Sequence, residues 1–448
     1  MTPVHVYAQR RARLAASLGP NTLAIIPTAP THLRNRDSEY PYRGDSYFLY
    51  LTGFDEPNAY LLIDAQGHTT LFCQPRDESR EIWDGIRLGP ERAPQTLGID
   101  AAFSIEQLDE QLPLLLANQQ TVCWPFATHE GLAQRIEKWL GVVRQKVRLG
   151  VRCPDQQHDL CALLDDMRLI KDNHELDIMR QAARISAQAH LRVMRTCVQT
   201  LNQGLACHEY LLEAELLHEF RRHGSSGPAY GNIVAAGANA CILHYRADQT
   251  AIRSGDLVLV DAGCELQGYA SDITRTFPAN GRFTDAQRAV YDVVCAAQEA
   301  SVQATCAGAR FNDPHDAAVK VLAQGLLDLG LLNTNAHGHI DDVIANKHYS
   351  RFYMHRTSHW LGLDVHDCGS YTEAGQEPPH NSRILQAGMV LTLEPGLYIR
   401  PAADIPEAFW NIGIRIEDDA VVQTQGCELI TRDVPVNARE IEAWMANA

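Results

Sequence analysis

Four carboxylates and one imidazole in the second half of the chain have the types and spacing of a metal-binding set: Asp261, Asp272, His359, Glu394 and Glu417. Each acid ends or interrupts an apolar run, as where Leu-Val-Leu-Val precedes Asp261. A charge in such a position is costly unless it is paired. The Gly-bounded segment 263–268 reads as a hairpin turn that would set Asp261 opposite Asp272, where like charges repel. We therefore expect a cation between these side chains.

The ligand types indicate which metal the set would hold. Oxygen ligands with a single imidazole favour Mn²⁺, with Co²⁺, Fe²⁺ or Zn²⁺ as alternatives, whereas structural zinc prefers Cys and His. Four acids exceed the needs of one divalent ion, so we predict two ions that share bridging carboxylates. Such a centre holds a bridging hydroxide and polarises a carbonyl or phosphoryl oxygen.

Three further histidines lie close in sequence to these residues. His355 precedes His359 by four positions, and His366 follows soon after. The pair is not H-E-x-x-H, because Arg356 occupies the Glu position, and this excludes a zincin site. His244 ends another apolar run and fits either a packed core or a site.

Arg415 lies two residues before Glu417, so on a strand both side chains would point to the same face. It could hold Glu417 in an ion pair or orient a bridging ligand, and the sequence leaves both roles open. The chain has no G-x-S-x-G elbow, no P-loop and no G-x-G-x-x-G after a strand. Nothing favours a Cys/His nucleophile.

A chain of 448 residues exceeds the size at which one core stops growing, so we expect two domains. Residues 1–168 read as an α/β domain and residues 169–448 as an α+β domain of helices and antiparallel hairpins. In the first, we predict strands at 22–26, 48–51, 60–63 and 70–73. In the second, we predict a long helix capped by Asp172 and Glu175, a helix over 208–223, one that begins at Thr284, and one that ends near Gly330.

Composition limits the partners and the compartment. The net charge of −16 opposes binding to nucleic acid or to anionic lipid. No apolar window is long enough to span a bilayer, and the N-terminus lacks a signal-peptide core. Twelve scattered cysteines without a C-x-x-C pair are typical of reduced thiols. These features favour a cytoplasmic protein without nucleic-acid or membrane partners.

Several motifs resemble the aminopeptidase P branch of the creatinase/prolidase/methionine aminopeptidase family, peptidase family M24, which has the pita-bread fold. They are residues 241–245, 260–265, 268–277, 358–367, 393–398 and 413–419 in the second domain, and 37–43, 52–54 and 81–83 in the first. The resemblance implies an α/β N-terminal domain and a pita-bread catalytic domain. It also implies a metallo-aminopeptidase that hydrolyses the bond between an N-terminal residue and a penultimate proline.

The resemblance assigns roles to individual residues. It makes Asp261 a chelator of one metal, His359 and Glu394 ligands of the other, and Asp272 and Glu417 bridges. Glu394 would also shuttle the proton to the leaving nitrogen. His355 and His366 would contact the substrate carbonyl and the tetrahedral intermediate, and His244 would help to form the proline subsite. Tyr398 and Arg415 would support the metal cluster. The residues at the rim of the site or behind the ligands would be Tyr230, Asp37 and Trp83. Because relatives form dimers and tetramers, Asp37 and Trp83 would serve a neighbouring subunit's site.

Two features depart from the family pattern. Arg356 and Thr357 follow His355 where relatives carry a small Gly, and a bulky cation there could narrow the loop or bind a substrate carboxylate. The segment 371–380 is longer than usual. Both bear on substrate length, so a prolidase that cleaves only Xaa-Pro dipeptides is the main alternative. A non-catalytic peptide-binding module on the same fold is a more distant one.

Overall fold

The computed structural model describes residues 2–373, 375 and 382–447. The chain divides into two compact units, Met1–Arg168 and Leu169–Ala448. Residues 374 and 376–380 of the long segment 371–380 lie outside the described residues. No helix in the described part of the chain is long and apolar enough to cross a membrane.

A six-stranded mixed sheet forms the centre of the first unit, and a separate two-stranded hairpin accompanies it. The strands are β1 Thr22–Pro27, β2 Leu33–Asn35, β3 Ser38–Glu39, β4 Tyr60–Asp64, β5 Thr69–Cys73, β6 Ala101–Ser104, β7 Thr121–Trp124 and β8 Gln156–Asp159. The order in the large sheet is β6-β5-β4-β1-β7-β8. Strand β1 runs antiparallel to β4 and parallel to β7, and all its residues are buried, which is typical of a strand covered on both faces.

The α-helices among the described residues of this part of the chain are α1 Val4–Ser17, α2 Ser46–Thr52, α3 Glu78–Asp84, α4 Ala93–Leu97, α5 Leu108–Leu116, α6 Leu132–Arg144 and α7 Cys161–Leu169. The apolar faces of α5 and α6 pack against the sheet and form a hydrophobic core with it. Trp139 of α6 is fully buried there beside Ile25 and Phe72.

One predicted strand is wrong, because residues 48–51 belong to helix α2. The Asp45 carboxylate accepts hydrogen bonds from the backbone N–H groups of Tyr47 and Phe48 and so caps the helix. Gly53 ends it with a φ of 64°, in the left-handed region. These local signals outweigh the β propensity of the aromatic residues between them.

In the second unit, two three-stranded sheets carry the acids of the metal-binding set, in the orders β11-β13-β16 and β17-β20-β21. The strands of this unit are β9 Cys207–His208, β10 Gly227–Pro228, β11 Ile233–Ala236, β12 Ala251–Ile252, β13 Leu257–Asp261, β14 Cys264–Leu266, β15 Tyr269–Ala270, β16 Thr274–Pro278, β17 Val390–Leu393, β18 Gly396–Ile399, β19 Ile412–Arg415, β20 Asp418–Val422 and β21 Cys427–Leu429. Strands β18 and β19 form an antiparallel pair.

The α-helices among the described residues of the second unit are α8 Asn173–Asn202, α9 Glu209–Arg222, α10 Asp285–Gln303, α11 Asp313–Asp328, α12 Thr334–His337, α13 Ile340–Ala345 and α14 Ala438–Ala446. The four helices predicted in this unit correspond to α8, α9, α10 and α11, whereas α12, α13 and α14 were not predicted. The predicted capping box of Asp172 with Glu175 is formed at the start of α8. Thr284 and Gln287 form another at the start of α10.

The chain between Asp261 and Asp272 does form a hairpin, but its strand register does not place the two aspartates opposite each other. Strand β13 pairs with β16, so Asp261 lies opposite Thr274 rather than Asp272. The residues between them form the short hairpin β14–β15, whose turn residues Gln267 and Gly268 have φ angles of 52° and 86°. Asp272 therefore precedes β16 instead of pairing with Asp261.

Candidate metal centre

A cavity of about 970 Å³ in the second unit brings together all five residues of the predicted metal-binding set. Asp261 is the last residue of β13, and Asp272 lies just before β16. Glu394 follows β17, and Glu417 lies between β19 and β20. The acids thus lie at strand ends of the sheets β11-β13-β16 and β17-β20-β21. His359 is not on a strand of its own.

Two hydrogen bonds to Thr392 of β17 nevertheless hold the backbone of His359 in place. Its N–H donates to Thr392 Oγ1 at 3.1 Å, and the Thr392 N–H donates to the His359 carbonyl at 3.0 Å. The ring Nε2 lies 3.4 Å from Asp272 Oδ2 and 3.6 Å from Glu394 Oε1. The imidazole therefore links acids of the two sheets.

The geometry fits a divalent ion. One ligand atom each from Asp272, His359 and Glu417 lies within 4.8 Å of the other two. Bonds from such ions to oxygen or nitrogen measure roughly 2.0–2.2 Å, so small side-chain shifts would let one ion reach all three. Asp261 and Glu394 line the same cavity and supply further oxygen ligands.

The electrostatics of this cavity favour added positive charge. Burial, followed by the charges of neighbouring carboxylates, raises the pKa of Glu417 well above its usual range. Burial raises the pKa of Glu394 to about 7, against the opposing charges of His359 and Arg415. Burial opposes protonation of His359, but its hydrogen bond to Asp272 and the charge of Glu394 raise its pKa to about 9. All three groups are therefore stabilised by a proton or a cation, as expected for metal ligands.

Arg415 contacts Asp261 rather than Glu417. Its Nη2 donates to Asp261 Oδ2 at 2.5 Å, and both side chains are largely buried. Its Nη1 donates to Tyr398 Oη at 2.9 Å, and Tyr398 lies 2.8 Å from His355 Nε2. Of the two roles that the sequence leaves open for Arg415, the ion pair with Glu417 is not formed among the described residues. Arg415 thus holds Asp261, a different member of the carboxylate cluster from Glu417.

Tyr230 and His355 complete the contacts around the cluster. The Tyr230 hydroxyl lies 2.6 Å from Asp261 Oδ1 and 2.5 Å from Asp272 Oδ1. The His355 Nδ1–H donates to the Arg356 carbonyl at 2.7 Å, and its Nε2 accepts from Tyr398. Burial and the charge of Arg415 lower the pKa of His355 to about 3, so its ring is neutral.

His366 and His244 also line the cavity and are exposed. The His366 ring packs edge-on against His359, with 4.4 Å between the ring centroids. Asp37 and Trp83 belong to the first unit and do not line this cavity. Asp37 is exposed next to the β2–β3 hairpin, and Trp83 on α3 is 84 % exposed.

Sequence reasoning missed several residues that support the ligands. Thr274 donates to Glu417 Oε2 at 2.6 Å and accepts from Arg415 Nε at 3.1 Å. The fully buried Asp419 accepts the backbone N–H of Asp272 at 3.0 Å. The Asp-Asp pair directly after Glu417, inside an apolar strand, was the available signal for Asp419.

Comparison with known proteins identifies the family. The model of metallopeptidase family M24 matches residues 177–424, and that of the aminopeptidase P N-terminal domain matches residues 7–124. The chain is 43% identical to the Xaa-Pro aminopeptidase of Escherichia coli (strain K12) over 446 residues, which covers 99% of this chain and 98% of the relative. This chain belongs to metallopeptidase family M24. Members of the family use divalent metals, which agrees with the ligand set in the cavity.

Solved structures support the same assignment. The structure of Pseudomonas aeruginosa aminopeptidase PepP matches with a TM-score of 0.94 and 46% identity, over 100% of this chain and 98% of that chain. Aminopeptidase P from E. coli with the inhibitor Pro-Leu matches with a TM-score of 0.93 and 42% identity, over 100% of this chain and 99% of that chain. The expected two-domain architecture, with an M24 pita-bread catalytic domain, is confirmed.

Proposed function

We propose that this M24 peptidase is a metallo-aminopeptidase that releases an N-terminal residue from peptides with proline at the second position. The observation that carries the proposal is the convergence of Asp261, Asp272, His359, Glu394 and Glu417 in one cavity. The full-length similarity to an Xaa-Pro aminopeptidase supplies the substrate class.

Within this proposal, the five ligands hold two divalent ions, with Mn²⁺ favoured by the donor set. Asp261 would hold one ion, His359 and Glu394 would hold the other, and both ions would share Asp272 and Glu417. When bound, the ions supply an activated water and polarise the peptide carbonyl. Tyr230 and Arg415 hold Asp261 in place through the hydrogen bonds described above.

Other side chains of the cavity position the peptide and move its proton. Glu394 shuttles the proton from the nucleophile to the leaving imino nitrogen, since it faces the cavity beside His359. His366, whose ring has no hydrogen bond to a described residue, contacts the carbonyl and the tetrahedral intermediate. His355, which lines the same cavity, has the same role in this proposal. His244 contributes to the proline subsite.

Assembly, compartment and domain boundary are also proposals. The exposed Trp83 and Asp37 fit a homodimer or homotetramer in which the first unit of one copy contributes to the site of another. We place the domain boundary between residues 168 and 169, where the two compact units meet along the chain. The protein acts in the cytoplasm on peptides, without nucleic-acid or membrane partners.

A comparison of peptide lengths tests this function. The Mn²⁺-loaded protein is incubated with Ala-Pro, Ala-Pro-Ala-amide and Ala-Ala-Ala-amide, and the products are identified by mass spectrometry. We expect alanine to be released from the longer proline peptide and not from the peptide that lacks proline. Release from the dipeptide alone would assign the protein as a prolidase. Binding without cleavage of any proline peptide would assign it as a peptide-binding module.

A further inference from the structure

Arg356 is a cation of the cavity wall that forms no ion pair with any described residue. It is exposed and lines the cavity. In the part of the chain that the structure describes, its guanidinium makes no hydrogen bond and no salt bridge. The other two arginines of the wall differ. Arg415 is paired with Asp261, and Arg246 lies against Gly231, where an added Cβ would be 1.4 Å from Nη1.

Among the described residues, no acid of the wall is available to pair with Arg356. The acids that line the cavity are Asp261, Asp272, Glu394 and Glu417, which are the proposed metal ligands. The positive charge of Arg356 acts on Asp316 and His315 at the start of α11, but no salt bridge to Asp316 is formed. The N–H groups of the Arg356 guanidinium are therefore available to donate hydrogen bonds to a ligand that enters the cavity.

The backbone that carries Arg356 is fixed next to Glu394. The Arg356 carbonyl accepts from His355 Nδ1 at 2.7 Å. Thr357 is fully buried, its hydroxyl lies 2.9 Å from His315 Nδ1, and its carbonyl accepts the backbone N–H of Glu394 at 2.9 Å. The flexible side chain of Arg356 is therefore attached to a rigid segment of backbone beside the proposed reaction centre.

We propose that Arg356 binds a carboxylate of the peptide substrate, so that this enzyme prefers peptides with an acidic group near the scissile bond. The inference rests on the proposed aminopeptidase activity. An arginine presents a planar fork that matches a carboxylate with two parallel hydrogen bonds. The carboxylate can come from an acidic side chain at the first or third position, or from the C-terminus of a short peptide.

Three matched peptide pairs separate these sources. Asp or Asn stands before proline in the first pair, and Glu or Gln stands after proline in the second. The third pair is Ala-Pro-Ala with a free or an amidated C-terminus. The ratio of kcat/KM within each pair is measured for the Mn²⁺-loaded protein and for Arg356→Gln, Arg356→Lys and the control Arg253→Gln. Arg253 is exposed and does not line the cavity, and its substitution makes the same change in net charge.

We expect the carboxylate to be preferred by about 5- to 20-fold in at least one pair, as for a charge-assisted hydrogen bond in a partly solvated site. The preference should fall to within twofold in Arg356→Gln, persist in part in Arg356→Lys, and remain in Arg253→Gln. The pair that responds identifies the source of the carboxylate. A ratio near one in every wild-type pair, or a preference that survives Arg356→Gln, would overturn the inference.

A binding measurement separates this inference from the proposed activity. The same pairs are titrated by calorimetry into the protein carrying Glu394→Gln, with and without Arg356→Gln. A carboxylate preference in Kd that depends on Arg356 supports the inference even if no peptide is cleaved, in which case the proposed activity fails alone. Equal Kd values within every pair would contradict the inference while leaving any observed cleavage intact.

Discussion

Arg415, the last residue of β19, donates a hydrogen bond from Nη2 to Oδ2 of Asp261, the last residue of β13, at 2.5 Å. The same guanidinium also donates hydrogen bonds to the Tyr398 and Thr274 hydroxyls, so one buried cation contacts three side chains around the carboxylate cluster. Removing one member of a buried, hydrogen-bonded pair leaves the other charge uncompensated. Arg415 therefore couples the stability of the second unit to the geometry of the candidate metal site.

Substitution of Arg415 by Lys should show this coupling. An ammonium cannot reproduce the fork that spans Asp261 and Tyr398. We expect the free energy of unfolding to fall by about 2–4 kcal/mol and kcat/KM for an Xaa-Pro peptide to fall at least about tenfold. Urea denaturation and steady-state kinetics measure the two effects. Wild-type values for both would contradict the shared role of Arg415.

Glu417→Gln should have opposite effects in the metal-free and metal-loaded protein. Without metal, the substitution removes a buried charge that neighbouring carboxylates oppose, so the melting temperature should stay equal or rise. With Mn²⁺, the loss of a bridging ligand should reduce the number of tightly bound ions below two and shrink the metal-induced rise in melting temperature. Calorimetry with and without chelator, and metal analysis, check this. The exposed Glu407→Gln serves as the control, and two ions bound with wild-type affinity in Glu417→Gln would refute the bridging role.

Glu209 should hold the loop that carries His244. This fully buried carboxylate accepts hydrogen bonds from Ala236 N, Asn239 Nδ2, Tyr245 Oη and Asp248 N, at 2.8, 2.9, 2.8 and 3.3 Å. Glu209→Gln replaces an acceptor with a donor, which we expect to cost about 2 kcal/mol of stability and to raise KM more than it lowers kcat.

A matched variant on the same helix controls for the loss of charge. Glu215 pairs with Arg192 at a partly exposed position, so Glu215→Gln should change stability by less than about 1 kcal/mol. Equal effects of Glu209→Gln and Glu215→Gln on KM would show that Glu209 does not position the loop.

His190 should make the second unit less stable at acid pH. Its buried ring donates from Nε2 to the Ala262 carbonyl at 3.0 Å, and burial lowers its pKa from 6.5 to about 4. Between these two values the unfolded chain binds the extra proton, so stability is fully present above pH 6.5 and is lost as the pH falls towards 4. The loss amounts to about 3 kcal/mol.

The comparison with His190→Gln isolates this effect. Urea denaturation between pH 7 and pH 4 is measured with excess chelator, so that metal release does not contribute. The difference in stability between wild type and His190→Gln should shrink towards low pH, whereas His218→Gln, at an exposed position, should follow wild type. A pH-independent difference would exclude His190 as the titrating group.

Much of the second unit could be predicted because its signals are local. The capping boxes at Asp172 and Thr284 fix helix starts within four residues of sequence. The gathering of the five candidate ligands in one cavity could be predicted because a charge at the end of an apolar strand is costly unless a cation or another partner compensates it. The helix over 48–51 could not be recognised from its aromatic residues, which suit a strand, and only the cap at Asp45 distinguishes it.

Contacts between distant strands could not be predicted. The partner of Arg415 is 154 positions away, and only the pairing of β13 with β16, and the folding of β19 against them, brings Asp261 within reach. The register of that pairing also depends on the inserted β14–β15 hairpin, whose two-residue turn shifts Asp272 away from Asp261. Such supporting contacts follow from tertiary packing, and no sequence spacing encodes them.

The central claim is that two bound divalent ions make this chain an aminopeptidase for peptides with a penultimate proline. Its most direct test follows the release of alanine from Ala-Pro-Ala-amide by mass spectrometry, in protein whose metal content is measured in the same sample. We predict release that rises with Mn²⁺ up to two ions per chain, is lost on chelation, and is lost in Asp272→Ala and Glu394→Ala. Undiminished release by the chelated protein, with metal analysis showing none bound, would contradict the claim.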